Sequence, residues 1–133
     1  MANSNPKTPM VHPADLEERV AQFAARAISV CEALPPRLGS THLQDQLFRS
    51  ATSVAANYAE ACVPESRKDF AHKTGIALKE LVESRMWLRI IAMKQYVDPK
   101  SLQKLLVETD ELVRIFHTSV RTARRNLAED SNQ

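Results

Sequence analysis

Glycine is almost missing from this chain: Gly39 and Gly75 are the two in 133 residues. A sheet protein of this length spends more glycine on turns and more β-branched residues on strands, so the shortage excludes a β fold and points to helices. Aromatic residues make up 5% of the chain, which leaves out the stacking platforms of dedicated single-strand nucleic-acid binders. Two cysteines, Cys31 and Cys62, are too few for a disulfide-stapled mini-protein and read as reduced thiols near helix ends. Neither charge sign dominates. Eighteen Lys+Arg against sixteen Asp+Glu give +2, a balance that is no nucleic-acid signature by itself. No apolar run approaches the roughly 18 residues of a membrane span. Met1–Pro13 is polar and proline-spaced, without the apolar centre of a signal peptide. A cytoplasmic protein with no membrane partner is the expectation.

What is present is ordinary globular composition, 44% hydrophobic and 26% charged, in a chain long enough for one core and no second. Seven prolines punctuate it. Pro13 suits a first helical position, and Leu16, Val20, Phe23, Ala27, Val30 and Leu34 then recur at alternating spacings of four and three, a heptad stripe that Pro35-Pro36 stops. A second helix opens at Gly39-Ser40-Thr41, with Thr41 and Gln44 read as a capping box. Its stripe is Leu43, Leu47, Ser50, Val54, Asn57 and Ala61, and it ends at Val63-Pro64. Ser66 and Asp69 cap a third helix with the stripe Phe70, Thr74, Ala77, Leu81, Ser84, Leu88 and Ile91. Asp98-Pro99 starts a fourth, carrying Leu102, Leu105, Thr109, Leu112, Phe116, Ser119 and Ala123. Short connections force neighbouring helices to run antiparallel. The expected fold is all-α, an antiparallel up-down-up-down four-helix bundle over 13–128, with a flexible N-terminal arm over 1–12 and a frayed tail over 129–133.

Two features of the stripes bear on function. The second, third and fourth helices each carry an apolar row beside the main one, wider than the roughly 100° arc a solitary bundle buries. The rows either thicken a monomeric core or form a contact between copies. Off-seam residues favour the second, with Phe48, Tyr58, Trp87, Ile90 and Val113 as the expected oligomer interface. Polar residues also stand inside the stripes, and each costs stability unless hydrogen-bonded. Ser50, Asn57, Glu80 and Glu83 are read as a polar register device, Asn57 pairing with Glu83 or Glu80 as a buried Asn does in coiled coils. The rival reading is a ligand or catalytic site built on Asn57, Glu80 and Glu83.

Catalytic and metal chemistry find little footing. The Glu-x-x-His pairs of di-iron bundles are missing. The nearest pattern, Asp69-x-x-His72, falls in a first helical turn where Asp caps, and His12, His42 and His117 lie without ligand spacing. There is no P-loop, no glycine-flanked serine elbow and no Cys-His pair with an orienting group. The expectation is a non-enzyme with no metal and no cofactor. Charge is unevenly placed, however. The third helix is rich in Lys and Arg, and the end of the fourth carries Arg114, Arg121, Arg124 and Arg125 with no acid between Glu111 and Glu129. These four arginines are the candidate nucleic-acid contacts, with RNA or a nucleic-acid-processing protein as the alternative partner.

The segment from Gln46 through Ala61, with Gln46-Leu47-Phe48-Arg49-Ser50-Ala51 and Val54-Ala55-Ala56-Asn57-Tyr58-Ala59-Glu60-Ala61, resembles the bacterial four-helix-bundle family also called the intervening-sequence proteins of large-subunit ribosomal RNA genes. The accessory variability proteins of diversity-generating retroelements form a related branch. The likeness continues through Ile76–Glu83, Met86–Arg89, Asp110–Leu112 and Ser119–Asn126, and so spans about residues 16 to 127. Ala61 stands where the family commonly has glycine, and Lys79-Glu80 where it often has Gly-Ser, which marks a subgroup. The resemblance implies a cytosolic bundle that assembles into a ring, typically a homopentamer, with no established activity for most members. In the retroelement branch it implies a ring that binds a reverse transcriptase and nucleic acid through a basic surface. A homo-oligomeric, non-catalytic scaffold or adaptor is the first expectation, and a nucleic-acid-binding ring the second.

Overall fold

The computed structural model describes residues 13–132. The expected arm over 1–12 lies outside the described residues, as does Gln133. Four helices follow in order: α1 (Pro13–Ala33), α2 (Ser40–Ala61), α3 (Arg67–Lys94) and α4 (Pro99–Ser131). Each packs on its sequence neighbours, and α1 closes against α4 through the thinnest of the four seams. Paired residues show the antiparallel run. Lys73 meets Glu60 while Ser84 meets Ser50 between α3 and α2, and Arg67 meets Asp130 while Arg85 meets Asp110 between α3 and α4. The fold is the four-helix bundle that the heptad stripes predict.

The helix ends follow local chemistry, with one correction. Ser66 Oγ accepts from Asp69 N–H at 2.9 Å, and the Asp69 carboxylate accepts from Glu65 N–H, so the α3 start is capped as read. Asp98 accepts from Lys100 N–H ahead of Pro99 at the α4 start. The Thr41–Gln44 capping box does not form. Gly39 takes a left-handed φ of 81°, starting α2 at Ser40 with no side-chain cap. Gln44 Nε2 donates instead to the Cys31 carbonyl at 2.8 Å. That carbonyl belongs to the last turn of α1, which has no intrahelical donors left, and it draws the amide away from its own helix. At the far end of α3, Gln95 turns left-handed (φ 56°) so that Gln95 and Tyr96 N–H groups satisfy the carbonyls of Ala92 and Ile91. α4 continues through Ser131, three residues past the boundary read at 128, held there by the Arg67–Asp130 ion pair and the Ser131 hydroxyl donating to the Leu127 carbonyl.

The core is the set of inward stripes. Val20, Phe23, Leu47, Val54, Leu81, Leu88, Ile91, Leu105, Leu112 and Phe116 are buried almost completely. Removing such a side chain from water is worth about 1.5–3 kcal/mol each, which is the main term opposing chain entropy here. Each helix departs from its simple stripe at one point: Cys31, Tyr58, Ala71 and Val120 are buried where their neighbours Val30, Asn57, Phe70 and Ser119 are half-buried.

Candidate functional site

The polar stripe residues separate into two groups. Ser50 and Ser84 are fully buried and face each other across α2 and α3, their Oγ atoms 2.8 Å apart. Ser50 Oγ also reaches the Leu47 carbonyl and Ser84 Oγ the Glu80 carbonyl, so neither hydroxyl depends wholly on the other. Asn57 is not part of this pair. It is half-buried, and its Nδ2 donates within α2 to the carbonyl (2.9 Å) and hydroxyl (3.1 Å) of Ser53. The expected Asn57–Glu83 or Asn57–Glu80 contact is replaced by Arg49, which bridges to both carboxylates and lies 3.1 Å from Glu80 Oε2. A carboxylate gains more from a guanidinium than from a neutral amide, and the long Arg49 side chain reaches both. The hydrogen bond to Glu83, joined by the nearby Glu80 charge, raises the Arg49 pKa. Register between α2 and α3 thus rests on Ser50–Ser84 inside and on the Arg49 fork outside.

The expected interface residues also divide. Tyr58 is 5% exposed and packs edge-on against Phe116 with ring centres 5.1 Å apart, while Val113 is 9% exposed. Both belong to the protomer's own core, because the buried arc of α2 and of α4 is wider than one heptad row. Trp87 and Ile90 are half-buried against that core, and Phe48 is 50% exposed. Trp87 stands edge-on to His42 at 5.9 Å, and its indole N–H is the one buried side-chain polar atom without a partner among the described residues. The large apolar side chains most open to water on α3 are ones that sequence reading passed over: Val82, Met86 and Met93. Their spacing of four and seven places them on one outward strip, with Ile90 between. That periodicity was legible, but it runs out of phase with the stronger Leu81–Leu88 stripe and was hidden by it.

Arg114, Arg121 and Arg125 are exposed and lie in a row on the outer side of α4. Arg121 Nη2 lies 3.3 Å from His117 Nδ1. Arg124 turns the other way, toward α3, where its Nη2 would stand 3.4 Å from a Cβ built on Gly75. There it lines a cavity of about 270 Å³ with Lys68, His72, Lys79 and Leu127. A larger apolar recess, about 870 Å³, lies between the α2–α3 connection and α4, with Pro64, Phe70, Ser119 and Ala123 in its wall.

Besides the Arg49 and Arg19 guanidiniums, both shifted up by their carboxylate partners, three neutral groups have displaced ionisation. Burial pushes the thiols of Cys31 and Cys62 and the Tyr58 phenol up, the result of placing groups that must become anions in an apolar setting. Such thiols are inert rather than nucleophilic. Both cysteines are free. Among the described residues, no three His, Cys, Asp or Glu side chains gather as metal ligands, and no helix is long and apolar enough to cross a membrane. Asp69 of the Asp69-x-x-His72 pattern is occupied in capping α3.

A family model described as 23S rRNA-intervening sequence protein matches residues 15–118. No curated protein matches the sequence significantly. Among solved structures, a Bacteroides thetaiotaomicron protein of unknown function from the S23 ribosomal protein family is similar at a TM-score of 0.73 and 26% identity, over 82% of this chain and 97% of that one. The match covers α1, α2, α3 and most of α4, and the chain therefore belongs to the 23S rRNA-intervening sequence protein family.

Proposed function

We propose that this protein is a non-catalytic, cytosolic homo-oligomeric scaffold or adaptor whose copies meet along the outward strip of α3. One observation carries the reading: Val82, Met86 and Met93, at 41%, 49% and 73% exposure, form an apolar strip on a bundle whose core is already filled. Contiguous apolar surface of this kind marks contact sites. The ring size that the family resemblance implies is five. Light scattering coupled to gel filtration tests it, with an expected mass near five times the 14.9 kDa protomer. Met86→Lys with Met93→Lys should shift that mass downward while helical circular dichroism stays unchanged. A wild-type protein that runs as a folded monomer at micromolar concentration refutes the proposal.

A second reading, binding to RNA or to a nucleic-acid-processing protein, has its own support. Arg19, Arg49, Arg67 and Arg85 are each matched to a carboxylate, whereas the exposed Arg114, Arg121 and Arg125 form no ion pair among the described residues. Unmatched cations in a row suit a phosphate backbone. Binding to a single-stranded RNA should weaken with salt and lose slope in an Arg114→Gln, Arg121→Gln, Arg125→Gln variant. RNA affinity that is absent at low salt removes this reading.

A further inference from the structure

We infer that the α3–α4 groove at Gly75 is a binding site for a phosphate group, free or carried in an RNA backbone, with Arg124, Lys68 and Lys79 as its cations. The site stands apart from both readings above: it needs no second copy, and of the α4 arginines in a row it uses none.

Three observations converge. The cavity of about 270 Å³ is lined by Lys68, His72, Lys79 and Arg124, with no carboxylate in its wall. A volume of that size is small for a drug-like ligand but ample for one or two phosphate groups. Next, the carboxylates of the flanking helices other than Glu129 are engaged elsewhere, Glu108 and Glu111 with Arg19. Glu80 and Glu83 turn to Arg49, Glu60 to Lys73, Asp110 to Arg85, Asp130 to Arg67, and Asp69 to the backbone of Glu65. Lys68, Lys79 and Arg124 form no ion pair among the described residues, and an anion entering the groove meets their charge between apolar walls at Ala71, Ile76 and Leu127. The third observation is Gly75, a buried glycine in the interior of a 28-residue helix. A glycine there costs up to about 1 kcal/mol relative to alanine. At this glycine the Arg124 guanidinium lies over α3, 3.4 Å from where a Cβ would stand, an ordinary contact distance. An exposed planar guanidinium lying over a helix, with no ion pair among the described residues, presents a fork of donors suited to two phosphate oxygens.

Isothermal titration of the full-length protein with pyrophosphate, and in parallel fluorescence anisotropy with a labelled single-stranded RNA, tests the site. Arg124→Gln and Lys79→Gln are surface changes, and circular dichroism checks that the fold is kept. Arg89→Gln, exposed on α3 and outside the cavity, serves as the control for a diffuse positive field. Pyrophosphate binding that falls about tenfold or more in Arg124→Gln and Lys79→Gln, but not in Arg89→Gln, supports a site for free phosphate groups. The same pattern with RNA alone supports the backbone as the source. Binding of neither probe at millimolar concentration overturns the inference, and so does an equal loss in Arg124→Gln and Arg89→Gln. Loss of RNA binding in the Arg114, Arg121 and Arg125 triple variant, with the Arg124 effect intact, would separate the outer arginine row from this groove.

Discussion

The Ser50–Ser84 contact should behave as a coupled pair of modest worth. Both hydroxyls are fully buried, and with their oxygens 2.8 Å apart each also touches a carbonyl of its own helix, that of Leu47 at 3.3 Å for Ser50 and that of Glu80 at 2.8 Å for Ser84. Ser84→Ala therefore leaves Ser50 with the Leu47 carbonyl, and Ser50→Ala leaves Ser84 with the Glu80 carbonyl. Neither single change strands a buried hydroxyl, so each costs about 0.5–1.5 kcal/mol and not the 3 kcal/mol that an orphaned polar group can reach. The double change removes both hydroxyls and the desolvation cost of both. It should cost less than the two singles together by about 0.5–1 kcal/mol. Urea unfolding followed by circular dichroism at one fixed protomer concentration reads these differences, the concentration being held because assembly would shift apparent stability. In thermal unfolding, about 1 kcal/mol corresponds to a shift of about 3–5 °C for a domain of this size. Strictly additive singles would mean that the hydroxyls do not sense each other, and the α2–α3 register would then have to rest on Arg49 with Glu80 and Glu83. Asn57→Ala provides the contrast. Its amide bonds only within α2, so the variant should show no coupling to Glu80→Gln or Glu83→Gln.

Two further outcomes follow from the same coordinates. Stability should fall as pH rises past about 9: burial raises the pKa of Cys31, Cys62 and Tyr58 in the folded protein, so the unfolded chain loses these protons first and is favoured by alkali. Thermal melts between pH 7 and 10 check this, and a melting temperature that rises across that range contradicts it. Gly75→Ala should stabilise α3 by about 0.5–1 kcal/mol in urea unfolding, since the new methyl group meets only the free end of Arg124 at 3.4 Å. A destabilised variant would show that the guanidinium cannot give way.

Legibility from sequence varied with the kind of interaction. The four helices were readable because proline breaks, Ser66 and Asp98 caps and heptad stripes all act within a few residues of one another, and each has a direct physical cause. The α2 start falls at Gly39-Ser40 as the sequence indicates. The Thr41–Gln44 capping box does not form, because Gly39 adopts a left-handed φ and the Gln44 amide finds a carbonyl on α1, which local pattern does not reveal. Tyr58 and Val113 were assigned to an outer contact because periodicity gives a residue's direction on its own helix but not the depth of the neighbours beside it.

The line between the two levels falls where partners are chosen. Stripe, break and cap chemistry along the chain suffice for an all-α bundle, since burying one apolar arc per helix leaves few other arrangements for four helices joined by short loops. Which polar groups meet is a different matter. That Arg49 rather than Asn57 takes Glu80 and Glu83, that Ser50 finds Ser84, and that Arg124 folds onto Gly75 instead of joining Arg114, Arg121 and Arg125, all depend on how far apart and at what rotation the packed helices set their side chains. Hydrogen bonds and ion pairs act over a few ångströms, and only the assembled bundle brings residues tens of positions apart within that range.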